Sequence, residues 1–119
     1  MNKKAQFLLE FTLQEEQQAS FKKQLDEVIP FIENSEPGAL IYEFYFNEDN
    51  TKCYVLEQYY DSAAFMTHLV NVSTRLQELL KISSITRLEI LGDLSPEAHA
   101  FAQSLGAKFY NFHGGFARA

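Results

Sequence analysis

The chain has a single cysteine, Cys53, and no tryptophan. One cysteine excludes an intramolecular disulfide, so stability must come from an apolar core, and a reducing cytoplasm is the expected compartment. Basic residues are scarce: ten Lys and Arg stand against sixteen Asp and Glu, a net charge of −6. No basic run exists beyond Lys3-Lys4 and Lys22-Lys23. That excludes the clustered cations through which proteins hold nucleic acid or an anionic membrane surface. No stretch approaches the roughly 20 apolar residues of a membrane span. The opening MNKKAQFLLEF is interrupted by Glu10 and offers no small-residue cleavage site, so it does not read as a signal peptide. Also missing are H-x-x-x-H, C-x-x-C, a glycine-rich phosphate loop and G-x-S-x-G, and neither a metal nor a cofactor is expected.

What is present suits one domain. The chain has 119 residues, 46% of them apolar, with 11 Phe and 6 Tyr, enough for a core without staples. Gln6 to Leu13 reads as a first strand. Gln14 to Gln18, polar and acidic, suits the first turn of a helix, where negative charge meets the positive end of the dipole. Phe21, Leu25, Val28, Ile29 and Ile32 recur at helical spacing, and Pro30 predicts a kink or an early end. Asn34 to Gly38 is a stop signal. Ala39–Asn47 and Thr51–Tyr60 then read as the two strands of a hairpin, joined at Asn47-Glu48-Asp49-Asn50. Asp61 or Ser62 can cap the next helix, whose stripe runs through Phe65, Leu69, Val72, Leu76, Leu79 and Leu80, with a possible break near Asn71 to Ser73. Ser84 to Leu91 is a fourth strand, and Ser95-Pro96 opens a short helix that closes at Gly106. The aromatic tail after it is expected to pack on the body.

The order β-α-β-β-α-β is the split βαβ, or ferredoxin-like, α+β arrangement, an antiparallel sheet with both crossover helices on one face. Residues 1–92 form that domain, and residues 93–119 add a helix and tail packed against it. A faint internal echo, Phe7-Leu8-Leu9-Glu10 against Tyr54-Val55-Leu56-Glu57, fits two β-α halves. Alternation puts Leu40, Tyr42, Phe44 and Phe46 on one face of the hairpin, with Ile41, Glu43 and Tyr45 on the other. Large side chains thus occupy both faces. The second face calls for cover, from a second copy of the chain or, alternatively, from the chain's own C-terminal tail.

Three blocks then occur in order: Glu36-Pro37-Gly38-Ala39-Leu40-Ile41-Tyr42-Glu43, Glu57-Gln58-Tyr59-Tyr60-Asp61, and Ala64-Phe65-Met66-Thr67-His68-Leu69. Together they resemble the antibiotic biosynthesis monooxygenase family over roughly Gln6 to Leu91. The resemblance implies a dimeric α+β barrel, a homodimer joined through its sheet faces, with a ligand cavity between each sheet and its helices. It implies as well a monooxygenase that uses O2 without a cofactor on a small electron-rich aromatic, a quinol or phenol. Two alternatives stand beside it: a non-catalytic dimeric binding protein of the same fold, and a haem-binding or haem-degrading relative. The chain departs from the family pattern in having Ser73 where many quinol-oxidising members carry a second His. It also lacks the Trp with which haem-degrading members distort the porphyrin.

His68, at the edge of an apolar helical stripe, admits two readings. It is a pocket-facing donor or general base, the catalytic candidate, or a buried His bonded to nearby backbone. Tyr42, Tyr45, Tyr59 and Tyr60 read as an aromatic slot or as cross-strand packing. Glu43 and Glu57, among apolar neighbours, must be paired, hydrogen-bonded or protonated, and pairing with Arg75 or Arg87 across a dimer interface is expected. Tyr42, Glu57, Tyr59, Phe65 and His113, beside Gly114-Gly115, complete the expected substrate-binding set. His99 is expected on an exposed helix face, and Cys53 as a packing residue.

Overall fold

The computed structural model describes residues 5–118; Lys3-Lys4 and the start of the opening peptide lie outside them. Its elements are β1 (Ala5–Leu13), α1 (Gln18–Ser35), β2 (Ala39–Phe46), β3 (Lys52–Tyr59), α2 (Ser62–Leu79), β4 (Ser83–Leu91), α3 (Pro96–Ser104) and β5 (Lys108–Tyr110). The sheet order is β2-β3-β1-β4-β5, antiparallel except for the parallel β4/β5 pair at one edge. The split βαβ order is therefore present, with an α-β extension, α3 and β5, added after β4. No described helix is long and apolar enough to cross a membrane.

Several local expectations need correction. The acidic Glu15-Glu16 pair lies in a turn before α1, with Glu16 at φ 67°, and no acid occupies the helix's first turn. α1 continues through Pro30 to Ser35. Pro30 is exposed, so the turn of helix that lacks its amide donor faces water rather than core. α2 runs unbroken past Asn71, its start capped by the Asp61 carboxylate accepting from the Ala64 amide at 2.9 Å. The tail supplies a strand that its three residues were too short to announce, pairing Lys108, Phe109 and Tyr110 with Glu89, Ile90 and Leu91. Beyond it Phe112, His113 and Phe116 are exposed. His99 is half-buried, stacked on Phe109 with centroids 3.9 Å apart.

The hairpin register pairs Tyr42 with Glu57, Phe44 with Val55 and Phe46 with Cys53. A bulge between Ala39 and Ile41 leaves Leu40 exposed and brings Ala39 opposite Tyr59, so Leu40 does not share the inward face with Tyr42. The internal echo is not a repeat. Phe7 points inward on β1 whereas Tyr54, its counterpart, lies on the face away from the core.

Two core clusters share the helix-covered face. One joins Phe21, Leu25, Val28 and Ile32 of α1 to Phe11, Val55 and Val72, and the other joins Phe65 of α2 and Ala98 and Ala102 of α3 to Phe7, Tyr59 and Ile90. The outward residues Leu8, Ile41, Tyr54 and Leu56 belong to neither cluster, and Tyr45 stands 55% exposed among them. This face is not uniformly apolar: Glu10 meets Lys52 at 3.5 Å, and Arg87 meets Glu89 at 3.0 Å.

The turn between α1 and β2 is packed against the start of α2. A Cβ added to Gly38 would lie 2.7 Å from the Ala64 Cβ, and the Gly38 carbonyl accepts from the Tyr60 amide at 2.8 Å. Gly38→Ala is expected to cost about 1–3 kcal/mol through overpacking. Ala64→Gly in the same chain should recover part of that loss, as measured by denaturant unfolding.

Candidate functional site

The close approach at Gly38 has a chemical consequence, because it sets the residue two positions earlier against α2. Glu36, the last residue of the α1 exit, is only 4% exposed. Its carboxylate takes three contacts: the His68 Nδ1 at 3.0 Å to Oε1 and 3.2 Å to Oε2, and the Asn71 amide, which donates to Oε2 at 3.0 Å. Asn71 can only donate at that nitrogen, so Glu36 serves as an acceptor there. The matching assignment for His68 is a proton on Nδ1 donated to Glu36. That leaves the Nε2 lone pair pointing the other way.

Nε2 lies 3.9 Å from Glu57 Oε1, beyond hydrogen-bond reach. Among the described residues no fully enclosed side-chain nitrogen or oxygen lacks a partner. An Nε2 without a bond must therefore border open space, and His68 lines a cavity. The cavity sits at the seam of the two core clusters, between the inward sheet face and the helices. It holds about 80 Å³, several times the roughly 10–15 Å³ that admits one water. Its walls include Phe7, Phe11, Phe44, Phe65, Leu88 and Phe101, and only Tyr42, Glu57, His68 and Arg75 bring polar side-chain groups. A mostly apolar chamber with a few convergent polar groups is the usual form of a small-molecule site.

Glu57 forms the floor beneath His68. It is buried, and the Tyr59 hydroxyl donates to its Oε1 at 2.5 Å. Burial pushes its carboxyl above the ordinary range and the Glu36 charge adds to this, while His68 and the Tyr59 bond act in the opposite direction. Burial likewise drives the Tyr42 and Tyr59 phenols well above their ordinary value, aided by the charge of Glu57, so both stay protonated donors. The raised Glu57 carboxyl has a stability signature. Its protonated form is favoured in the folded chain, so its contribution is whole below about pH 4.5 and is lost as the pH climbs toward the raised value. Glu57→Gln removes that loss. The variant is expected to match the parent near pH 4 and to be the more stable of the two at pH 7, read from Tm across the pH range.

Four of the expected site residues thus meet at one cavity: His68, Tyr42, Glu57 and Phe65. Tyr59 lies behind the wall as the donor that holds Glu57, fully buried. His113 is exposed on the tail and takes no part in the lining. Within its own chain Glu57 is met by Tyr59 and His68 rather than by an arginine. Glu43 accepts from Tyr45 at 3.0 Å, and Arg87 pairs with Glu89. Glu36 was legible as part of a helix stop and of the first family block, Arg75 as an ion-pair candidate, and Asn71 only near a helix break, none of them as a site residue. Burial pushes the Cys53 thiol up to about 12, in keeping with a packing role. Glu36, His68 and Glu57 do not converge on a point, since the carboxylates approach opposite nitrogens of one ring. Among the described residues no group of His, Cys, Asp and Glu is placed to hold a metal.

Fold and site together define a ferredoxin-like α+β protein with a mostly apolar, partly open chamber and a carboxylate-oriented histidine. The chain belongs to the antibiotic biosynthesis monooxygenase family, whose model matches residues 7–72. Among solved structures it is similar to MupZ from Pseudomonas fluorescens, at 26% identity and a TM-score of 0.85, over 98% of this chain and 96% of that one. It also shares its fold with SnoaB, a cofactor-independent oxygenase from Streptomyces nogalater. That likeness has 16% identity and a TM-score of 0.65, over 78% of this chain and 95% of the other. The MupZ likeness therefore spans the α3–β5 extension as well. No curated protein sequence matches the chain significantly.

Proposed function

We propose that the chain is a cofactor-independent monooxygenase acting on a small electron-rich phenol or quinol. The observation that carries this reading is the free Nε2 of His68, held by Glu36 and aimed into an otherwise apolar chamber. Nε2 takes the phenolic proton as general base, and the imidazolium formed is stabilised by Glu36 on one side and Glu57 on the other. The phenolate, poorly solvated among phenylalanines, passes one electron to O2. Recombination of the two radicals at an unsubstituted ring carbon, ortho or para to the oxygen, gives a peroxide. Loss of the proton on that carbon and cleavage of the O–O bond then yield the quinone and water. One oxygen atom enters the product, the other leaves as water, and the substrate supplies all the electrons. The family and the likeness to SnoaB support this chemistry.

The same reading includes a homodimer through the outward sheet face, supported by the half-buried strip of Leu8, Ile41, Tyr54 and Leu56 beside the exposed Tyr45, which neither core cluster includes. Light scattering is expected to report a particle of twice the 13.7 kDa chain mass, and a stable particle at 13.7 kDa would remove the dimer. For the activity, oxygen uptake is measured with a panel of hydroquinones, naphthols and anthrols. Turnover of at least one class is expected; no uptake with any electron-rich phenol would leave only ligand binding.

A further inference from the structure

The mechanism above leaves two polar cavity groups unused, Tyr42 and Arg75, and the second carries a charge. Arg75 is half-buried on α2 and lines both the chamber and a groove between α1 and α2. Among the described residues its guanidinium makes no ion pair. Two acids border the same groove, Glu27 and Glu78, but Glu78 is engaged by Lys81 at 2.6 Å and neither reaches Arg75. What holds Arg75 is the ring of Phe31, with Cζ 5.1 Å from its centroid, a contact that fixes the side chain without neutralising it. A half-buried cation on the wall of an apolar chamber, without a carboxylate of its own, is arranged to receive one.

Its position defines the ligand further. His68, Val72, Arg75 and Leu79 fall on one face of α2, with Arg75 seven residues beyond His68, roughly 10 Å along the helix axis. Between them the chamber is walled by Leu69 and Val72, with Leu76 just past Arg75. Tyr42 bridges the two ends: its ring lies 5.1 Å from that of His68, and the guanidinium is near enough to favour its ionised form against the stronger effect of burial.

We propose that Arg75 anchors a carboxylate at the end of the substrate opposite its reacting hydroxyl, with an apolar body of roughly 10 Å between the two. This assignment rests on the chamber being the substrate site. A planar guanidinium fork matches a single carboxylate bidentately, and no second cation stands beside it to balance a phosphate dianion.

The test is an anaerobic binding titration, which needs no turnover. The probes are a hydroxynaphthoate with hydroxyl and carboxylate on opposite rings, its methyl ester, and the parent naphthol. Wild type is expected to bind the acid about tenfold or more tightly over the ester, a preference that shrinks with added salt. Arg75→Ala should abolish the preference while leaving ester affinity within a few-fold, and Arg75→Lys should restore part of it. Equal affinity of acid and ester in wild type, or a preference that survives Arg75→Ala, overturns the anchor. Failure of all three probes to bind overturns the chamber as an aromatic site, and the anchor with it.

Discussion

Replacing His68 with Asn is expected to lower kcat by about a hundredfold to ten-thousandfold while leaving ligand affinity within a few-fold. Asn is the informative choice. Its side-chain amide can take the place of Nδ1 and donate to Glu36, which otherwise sits buried beside Asn71 alone. What Asn cannot supply is the second nitrogen that faces the chamber. The variant should therefore fold, dimerise and bind, yet fail to accept the phenolic proton. An accompanying His68→Ala variant is expected to be equally inactive and less stable, because it strands the Glu36 carboxylate. Full activity in His68→Asn would take the histidine out of the chemistry and leave it a role in packing.

The second large effect is expected at Glu36, and it appears in stability as well as rate. Glu36→Ala leaves the His68 Nδ1–H and the Asn71 amide without an acceptor in a site closed to water. Each buried, unsatisfied donor costs about 1–3 kcal/mol, so a total of about 2–5 kcal/mol is expected. Against a domain stability of about 5–15 kcal/mol that is a severe loss. Glu36→Gln separates stability from orientation. The amide oxygen still accepts one bond, so most of the stability should return. The negative charge that steadies the imidazolium is absent, and kcat should stay reduced by about tenfold or more while KM changes little. Denaturant unfolding and steady-state kinetics on the two variants check both halves. A Glu36→Gln enzyme with parental kcat would reduce Glu36 to a structural acceptor.

Much of the fold was legible because its signals are periodic. The α1 stripe from Phe21 to Ile32 and the α2 stripe from Phe65 to Leu79 face the sheet as their spacing requires, and the β-α-β-β-α-β order follows from them. What escaped was aperiodic. The bulge at Leu40 shifts one side chain within an otherwise regular strand, and a three-residue strand such as β5 has no period to detect. Pro30 suggests a break only if its missing amide hydrogen bond faces the core, and it faces water instead.

The site divides along similar lines. Alternation and helical spacing could group Tyr42 with Phe44 and Glu57 with Tyr59, and set Phe65 on the α2 stripe with His68 at its edge, but which hairpin face lines the cavity depends on the tertiary register. Glu36 could not be placed at the site, because a glutamate before Pro-Gly at a helix exit is ordinarily solvated. Its burial depends on a tertiary contact, the glycine-to-alanine approach of Gly38 and Ala64 that brings the α1 exit against α2. His113 was favoured for the flexibility of the glycines beside it, which says nothing about where the tail runs.

The most direct test of the central claim follows the fate of oxygen. The reaction is run under isotopically heavy oxygen gas in ordinary water, with an electron-rich phenol that supports uptake, and the product is analysed by mass spectrometry. One heavy atom in the quinone and one in water is the predicted result. A product whose new oxygen comes from the solvent, or one formed with no oxygen consumed, would contradict oxygenation and assign the His68 base to hydrolytic or isomerising chemistry instead.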